Sequence, residues 1–219
     1  MNVLENRSGR RQRIVTQWEA RRILASVDLP VVRETLVFMR PEAALAACEI
    51  GYPVVLRCWS PRGDAGPGAV RDLGDEGALL EAFDRLSRER GGGGLGFLVQ
   101  ETLRDERPLC ASFRVDDAGG PSVTLGIGGV YRHLVRDEVR HPAPLSLQDA
   151  REMIASLRAA PLLSAWRGLP ALSLESLASL LDRLGRAAAS FPELSEICLE
   201  RILARDDRPV CLDARVTFI

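Results

Sequence analysis

The chain has 219 residues, 46% of them hydrophobic, with 29 basic and 30 acidic side chains for a formal charge of −1. The two signs are interspersed, which argues against nucleic acid or a membrane surface as partner, and no apolar stretch is long enough to span a bilayer. The length admits one large or two small domains, and five cysteines without a CxxC pair read as reduced thiols of a cytoplasmic protein.

Residues 1–13 read as a flexible basic tail carrying Arg7, Arg10, Arg11 and Arg13. Trp18, Ile23, Leu24 and Val27 recur at helical spacing and predict a helix over 16–27 that Pro30 ends. VVRETLVF (31–38) reads as a strand. Pro41 and Gly51 bracket a second helix, as first-position proline and terminal glycine should. PVVLRCW (53–59) and AVRDL (69–73) are strands, and Leu79, Leu80, Phe83 and Leu86 mark one face of a helix over 75–90.

The run Gly91 to Gly94 is either a flexible connection or a backbone site for a ligand, and no helix start follows it to make a phosphate loop. LGFLVQETL (95–103) is a strand, and strands at 108–115 and 121–127 form a hairpin. In GIGG (126–129), Gly128 and Gly129 permit positive φ or close backbone approach. Arg132, His133, Arg136, Arg140 and His141 follow, so the stretch is either a polyphosphate cradle or a solvated face. Neither histidine has a cysteine or aspartate at metal-ligand spacing. Helices are expected over 147–157 and 174–189.

SEICLERIL (195–203) and RDDRPVCLDARVTF (205–218) alternate with period two around a turn-forming Arg205–Pro209 run, a terminal hairpin. Cys198 and Cys211 flank its turn and suggest a small apolar pair across it. Glu200 and Asp213 fall on neighbouring strands, either as solvated strand residues or as two oxygen donors for a hard cation such as Mg2+. Walker A, GxSxG, HExxH and dinucleotide fingerprints are absent.

Six phrases carry a wider resemblance: TQWEARRILASVDLPVV (16–32), CEIGYPVVLRCWSP (48–61), FLVQETL (97–103), GIGGVYRHLVRDEVRHPAPLSLQDAREMI (126–154), APLLSAWRG (160–168) and LDARV (212–216). Their order and spacing resemble the ATP-grasp domain of the NDP-forming acyl-CoA synthetases, the group of the ADP-forming acetyl-CoA synthetase beta subunit. The resemblance implies an α+β, two-lobed ATP-grasp fold of antiparallel sheets flanked by helices, with a smaller lobe at 14–94 and a larger one at 95–219 that clamp a nucleotide. It implies ATP or ADP with Mg2+, acid–thiol ligase chemistry, and a CoA-binding alpha-type partner subunit; self-association into a homo-oligomer stays open. By the same resemblance Arg21, Arg57, Gly128 and Gly129 face phosphates. Gln100 and Glu101 lie near the adenine-binding connection, and Glu200 and Asp213 hold Mg2+. No catalytic residue is assigned.

The departures from that family carry a second expectation, a degenerate domain kept as a binding or regulatory module. Two family lysines are Arg21 and Arg57 here, and the family's Asp-Ile-Asn-Pro is Cys198-Leu199-Glu200-Arg201. The chain contains no lysine at all, so lysine-nucleophile chemistry is excluded and phosphate must be held by arginine forks, helix N-termini or backbone amides. The loop PRGDAGPGAV (61–70) lacks the histidine that the family uses for phosphoryl relay. Incubation with γ-labelled ATP is therefore expected to leave no acid-labile phosphate on the chain; stoichiometric labelling of His133 or His141 would contradict this.

Overall fold

The computed structural model of the chain describes residues 2–5, 11–60, 68–89, 96–104, 107–116, 120–129, 132–165 and 168–219. The glycine run at 91–94 and most of the 61–70 loop lie outside the described residues. The chain opens with β1 (Asn2–Glu5), β2 (Arg11–Ile14) and α1 (Gln17–Ser26). Thr16 starts α1 with a capping box. Its hydroxyl accepts from Glu19 N at 3.3 Å while the Glu19 carboxylate accepts from Thr16 N at 2.8 Å, which satisfies two amides with no partner inside the helix.

Two units follow, Val32–Leu103 and, discontinuously, Met1–Val31 with Arg104–Ile219. The smaller contains β3 (Glu34–Val37), α2 (Arg40–Ile50), β4 (Val54–Trp59), β5 (Ala69–Leu73), α3 (Glu76–Glu89) and β6 (Gly96–Glu101). Its antiparallel sheet runs β3-β6-β4-β5. Alternation turns Val54, Leu56, Cys58, Phe97 and Val99 to one face, where they form a core with Ala43, Ala47, Leu79, Phe83 and Leu86 of the two helices. Each fully buried side chain of leucine or phenylalanine size contributes about 1.5–3 kcal/mol.

The larger unit continues with β7 (Leu109–Asp116), β8 (Gly120–Ile127), α4 (Arg132–Val135), β9 (Glu138–Pro142), α5 (Leu147–Ser156), α6 (Leu174–Ser190), β10 (Leu194–Arg205) and β11 (Arg208–Phe218). A short 3-10 helix, Ala160–Leu163, precedes α6. The sheet order is β1-β2-β11-β10-β7-β8-β9. Leu177, Leu181 and Leu184 of α6 share one core with Phe113, Val123, Leu125, Ile197 and Leu199 of the strands.

The division expected at 94/95 falls elsewhere because pairing ignores chain order. Residues 96–101 are ladder partners of both β3 and β4, which puts that strand in the smaller unit. The first thirteen residues are not a tail throughout: β1 pairs with β2, and β2 pairs with β11 through Thr217↔Ile14. Nor do Cys198 and Cys211 face each other. Cys211 lies opposite Ile202 in the core, and Cys198 lies opposite Arg215 on the other face.

Two polar clamps fix the loops of the larger unit. The Arg107 guanidinium donates to the carbonyls of Leu162, Ser164 and Pro170 at 3.3, 3.1 and 3.0 Å, closing the segment around the 3-10 helix. Asp137 is buried and accepts from the amides of Arg158 and Ala159 at 3.2 and 2.8 Å. Burial alone would raise its pKa, but those two amides and the Arg158 guanidinium outweigh it and hold the carboxyl below 3.8. A lowered carboxyl binds fewer protons in the folded chain, so its stabilisation is complete above the unfolded value and lost as pH falls through the folded one. Asp137→Ala is expected to cost about 2 kcal/mol in urea unfolding at pH 7, since the amides of Arg158 and Ala159 lose a buried, ionised acceptor. The gap between variant and wild type should narrow as the pH falls below the ordinary carboxylate range, through the lowered folded value.

Candidate functional site

In the smaller unit, the face of the sheet turned away from α2 and α3 carries Val55, Arg57 and Trp59. The ladder sets Val55 opposite Gln100, Arg57 opposite Leu98 and Trp59 opposite Gly96. Arg57 and Gln100 therefore share a face. Gln100 is buried, and its Nε2 donates to Oε2 of its cross-strand neighbour Glu34 at 2.9 Å. Glu101 points to the opposite face by alternation, where its carboxylate accepts from Arg33 N at 2.7 Å and Arg33 Nε at 2.9 Å. The sequence expectation grouped Gln100 with Glu101; the structure groups Gln100 with Arg57 and uses Glu101 to anchor the start of β3.

In the larger unit, the sheet face opposite the core is charged and internally paired. Glu196 stands between Arg114 and Arg215, at 2.5 and 3.7 Å. Arg132 meets Glu138 at 3.0 Å, and Arg140 meets Asp116 while donating to Ser122 Oγ at 3.0 Å. Sequence reasoning named Arg132 and Arg140 but passed over Arg114 and Arg215. Their place on this face comes from the ladder, in which Arg215 and Ser112 are the partners of Cys198 and Arg114 is the partner of Glu196. Burial raises the Cys198 thiol and pushes Cys110 up to about 11, the latter against the opposing pull of Arg132. A raised thiol is the weaker nucleophile, so neither cysteine has the depressed pKa of a reactive one.

Gly128 and Gly129 are accounted for by packing. A Cβ on Gly128 would stand 2.6 Å from the Leu109 carbonyl oxygen, and Gly129 has φ +63 with Pro108 Cγ 2.9 Å from its Cβ position. What approaches these glycines is the entry to β7, and the Gly128 amide donates to Pro108 O at 2.8 Å. The His141 ring reaches the Pro142 carbonyl at 2.8 Å and stands 3.8 Å from Asp149.

Around Asp213 the hairpin register decides the chemistry. Leu199↔Ala214 and Ile202↔Cys211 share one register, which carried straight through would set Glu200 against Asp213. Between them the ladder slips, and the pair formed is Arg201↔Asp213. Two carboxylates directly opposite each other repel, whereas an opposite-charge pair stabilises the ladder. Arg201 Nε and Nη2 both meet Asp213 Oδ2, and Arg21 of α1 brings Nη2 to 4.0 Å from Oδ1. Arg21 and Asp213 are only 3% and 7% exposed, while Glu200 is exposed. The structure thus joins Arg21 to Asp213, as two of the expected site residues, and puts Arg201 where the Glu200 carboxylate was expected.

These donors do not fit a divalent cation as arranged. One Asp213 oxygen is already engaged by a guanidinium and the other is near a second, and two unit charges 4 Å apart interact by about 4 kcal/mol at an effective dielectric of ~20. Among the described residues no three histidine, cysteine, aspartate or glutamate side chains are grouped to hold a metal ion.

Two antiparallel sheets, each flanked by helices, define an α+β class of fold. The family model for the ATP-grasp domain matches residues 6–218, and the chain belongs to that family. It is 31% identical over 207 residues to the acetate–CoA ligase (ADP-forming) I beta subunit of Pyrococcus furiosus, covering 90% of this chain and 89% of that one. It is 28% identical to the 4-hydroxybutyrate–CoA ligase (ADP-forming) of Nitrosopumilus maritimus, where it spans 30% of a longer protein. Among solved structures, the dinucleotide-forming acetyl-coenzyme A synthetase 1 of Candidatus Korarchaeum cryptofilum, in complex with coenzyme A and Ca-AMPCP, superposes with a TM-score of 0.82 at 30% identity, covering 97% of this chain and 95% of that one. Both the expected α+β ATP-grasp fold and the resemblance to ADP-forming acetyl-CoA synthetase beta subunits hold.

Asp213→Asn removes the charge that two buried or half-buried guanidiniums answer. It is expected to cost about 3–5 kcal/mol, read as a lower urea midpoint with an unchanged slope.

Proposed function

We propose that the chain is the nucleotide-binding ATP-grasp part of an ADP-forming acyl-CoA synthetase, acting with a CoA-binding partner that carries the acyl and thiol half of the reaction. The observation that carries this reading is the near end-to-end match to a protein named as a beta subunit, at 31% identity over 90% of the chain. Phosphoryl transfer needs positioning and charge neutralisation more than covalent help from the protein. On this reading the Arg57 fork takes a phosphate, delocalised and permanently charged where the family has a lysine point charge. On the same reading Gln100, which shares that sheet face and is oriented by Glu34, contacts the base.

A second reading, a binding module without turnover, is favoured by one specific observation: Asp213, a cation ligand by family resemblance, is held by Arg201. It shares the nucleotide with the first reading and loses only the transfer.

Calorimetric titration with ATP and with ADP tests both. Saturable binding is expected, weakened at least about tenfold in Arg57→Ala, a loss of 1.4 kcal/mol or more. Absence of heat with either nucleotide overturns both readings. Addition of an acyl-CoA synthetase alpha-type subunit, acyl-CoA, phosphate and ADP then separates them: ATP formation supports the synthetase, and nucleotide binding without it supports the module.

A further inference from the structure

We propose that the guanidinium of Arg201 stands at Asp213 in place of a divalent cation, so that the chain's anion-handling chemistry at this carboxylate runs without metal. The inference starts from backbone geometry. The β10–β11 ladder keeps one register from Arg205↔Arg208 to Ile202↔Cys211 and again from Leu199↔Ala214 to Glu196↔Thr217. Between these two stretches it departs, and the departure on β10 at Glu200 is matched on β11 at Leu212, leaving the same register on either side; a separate shift lies at the start of β10, between Leu194 and Glu196. The two irregularities restore the pairing register but shift the alternation by one on both strands, so that Leu199 and Ile202, with Ala214 and Cys211, all reach the core and Arg201 rather than Glu200 is set against Asp213.

The side chains complete the substitution. Arg201 turns Nε and Nη2 to Asp213 Oδ2, a charge-assisted contact in which the carboxylate fixes the plane of the guanidinium. The carboxylate is 9% exposed and the Arg201 side chain 30%, so the anion is covered while its cation keeps an edge toward solvent. A covered carboxylate that aims a partly open positive charge offers a phosphate oxygen what a carboxylate-bound dication offers, a fixed cation with remaining capacity. It differs in having no octahedron to complete and no water to shed. Arg21, 4.0 Å from the other oxygen, occupies the second approach to the same carboxylate. The proposal rests on the nucleotide reading only for the identity of the anion; the claim about the cation stands apart from it.

The test uses Mn2+ alone, followed by the electron paramagnetic resonance signal of the unbound ion, on wild type, R201Q and the R201Q/D213N double variant, whose paired amides keep the contact without charge. Wild type should show no uptake that depends on Asp213. R201Q should bind Mn2+ at least about tenfold more tightly than wild type, and R201Q/D213N should lose the gain. Uptake by wild type equal to that of R201Q, or no gain in R201Q, overturns the proposal. If circular dichroism shows R201Q unfolded, R201M, which keeps the apolar stem, carries the same comparison. In a second arm ATP is titrated in EDTA and in Mg2+. Wild-type affinity should agree within about threefold between the two, while R201Q should need the metal. If ATP gives no heat in either buffer, the nucleotide reading fails while the Mn2+ arm still decides the role of Arg201.

Discussion

The pairing of β10 with β11 is the constraint from which the larger unit follows. These are its central strands: β10 also carries β7, and through it β8 and β9, while β11 carries β2 and β1. Val31 makes a parallel bridge to Cys211, so even the end of the N-terminal segment is tied to the same hairpin. Each buried backbone donor in such a sheet must find a partner or lose the free energy of a hydrogen bond, which is why one strand pair can set the position of so many others. The core of the unit is laid on one face of this pair, with Ile197, Leu199, Ile202, Ala214 and Val216 all turned inward.

Local elements were legible in the sequence because their signals are local. The 3.6-residue spacing of Leu177, Leu180, Leu181 and Leu184 gave α6 within a residue, and Pro41 with Gly51 bracketed α2. AVRDL (69–73) coincides with β5 end to end. Division into units was not legible, because a strand such as β6 looks the same whether it joins the elements before it or after it. β9 was missed for a related reason: five residues alternating Glu138, Arg140 and Pro142 with Val139 and His141 carry little apolar signal, and only their neighbour β8 makes them a strand.

The candidate site was legible in composition but not in contacts. The hairpin, Asp213 and the arginine-for-lysine exchanges were all visible. A slip of one residue was not. Glu200 and Arg201 are adjacent and both polar, so no pattern in the chain says which will meet Asp213, and that choice turns a carboxylate pair into an ion pair. The glycines at 128 and 129 show the same limit, since a close approach to the chain's own β7 and a close approach to a ligand leave identical sequence.

The discontinuity of the larger unit bears on how the chain is made. Residues 32–103 form a contiguous unit whose contacts are all available soon after they leave the ribosome, and domains generally fold as units in that order. β2 and α1 are synthesised before that unit yet dock on β11, some two hundred residues later, so they must wait while the intervening unit folds. Closing so long a loop is slow, and until β11 emerges the apolar side of α1, with Ala20 and Leu24, has no strand to cover it. A nascent chain of this protein therefore passes through a stage in which its smaller unit is complete and its first helix is a candidate for chaperone capture.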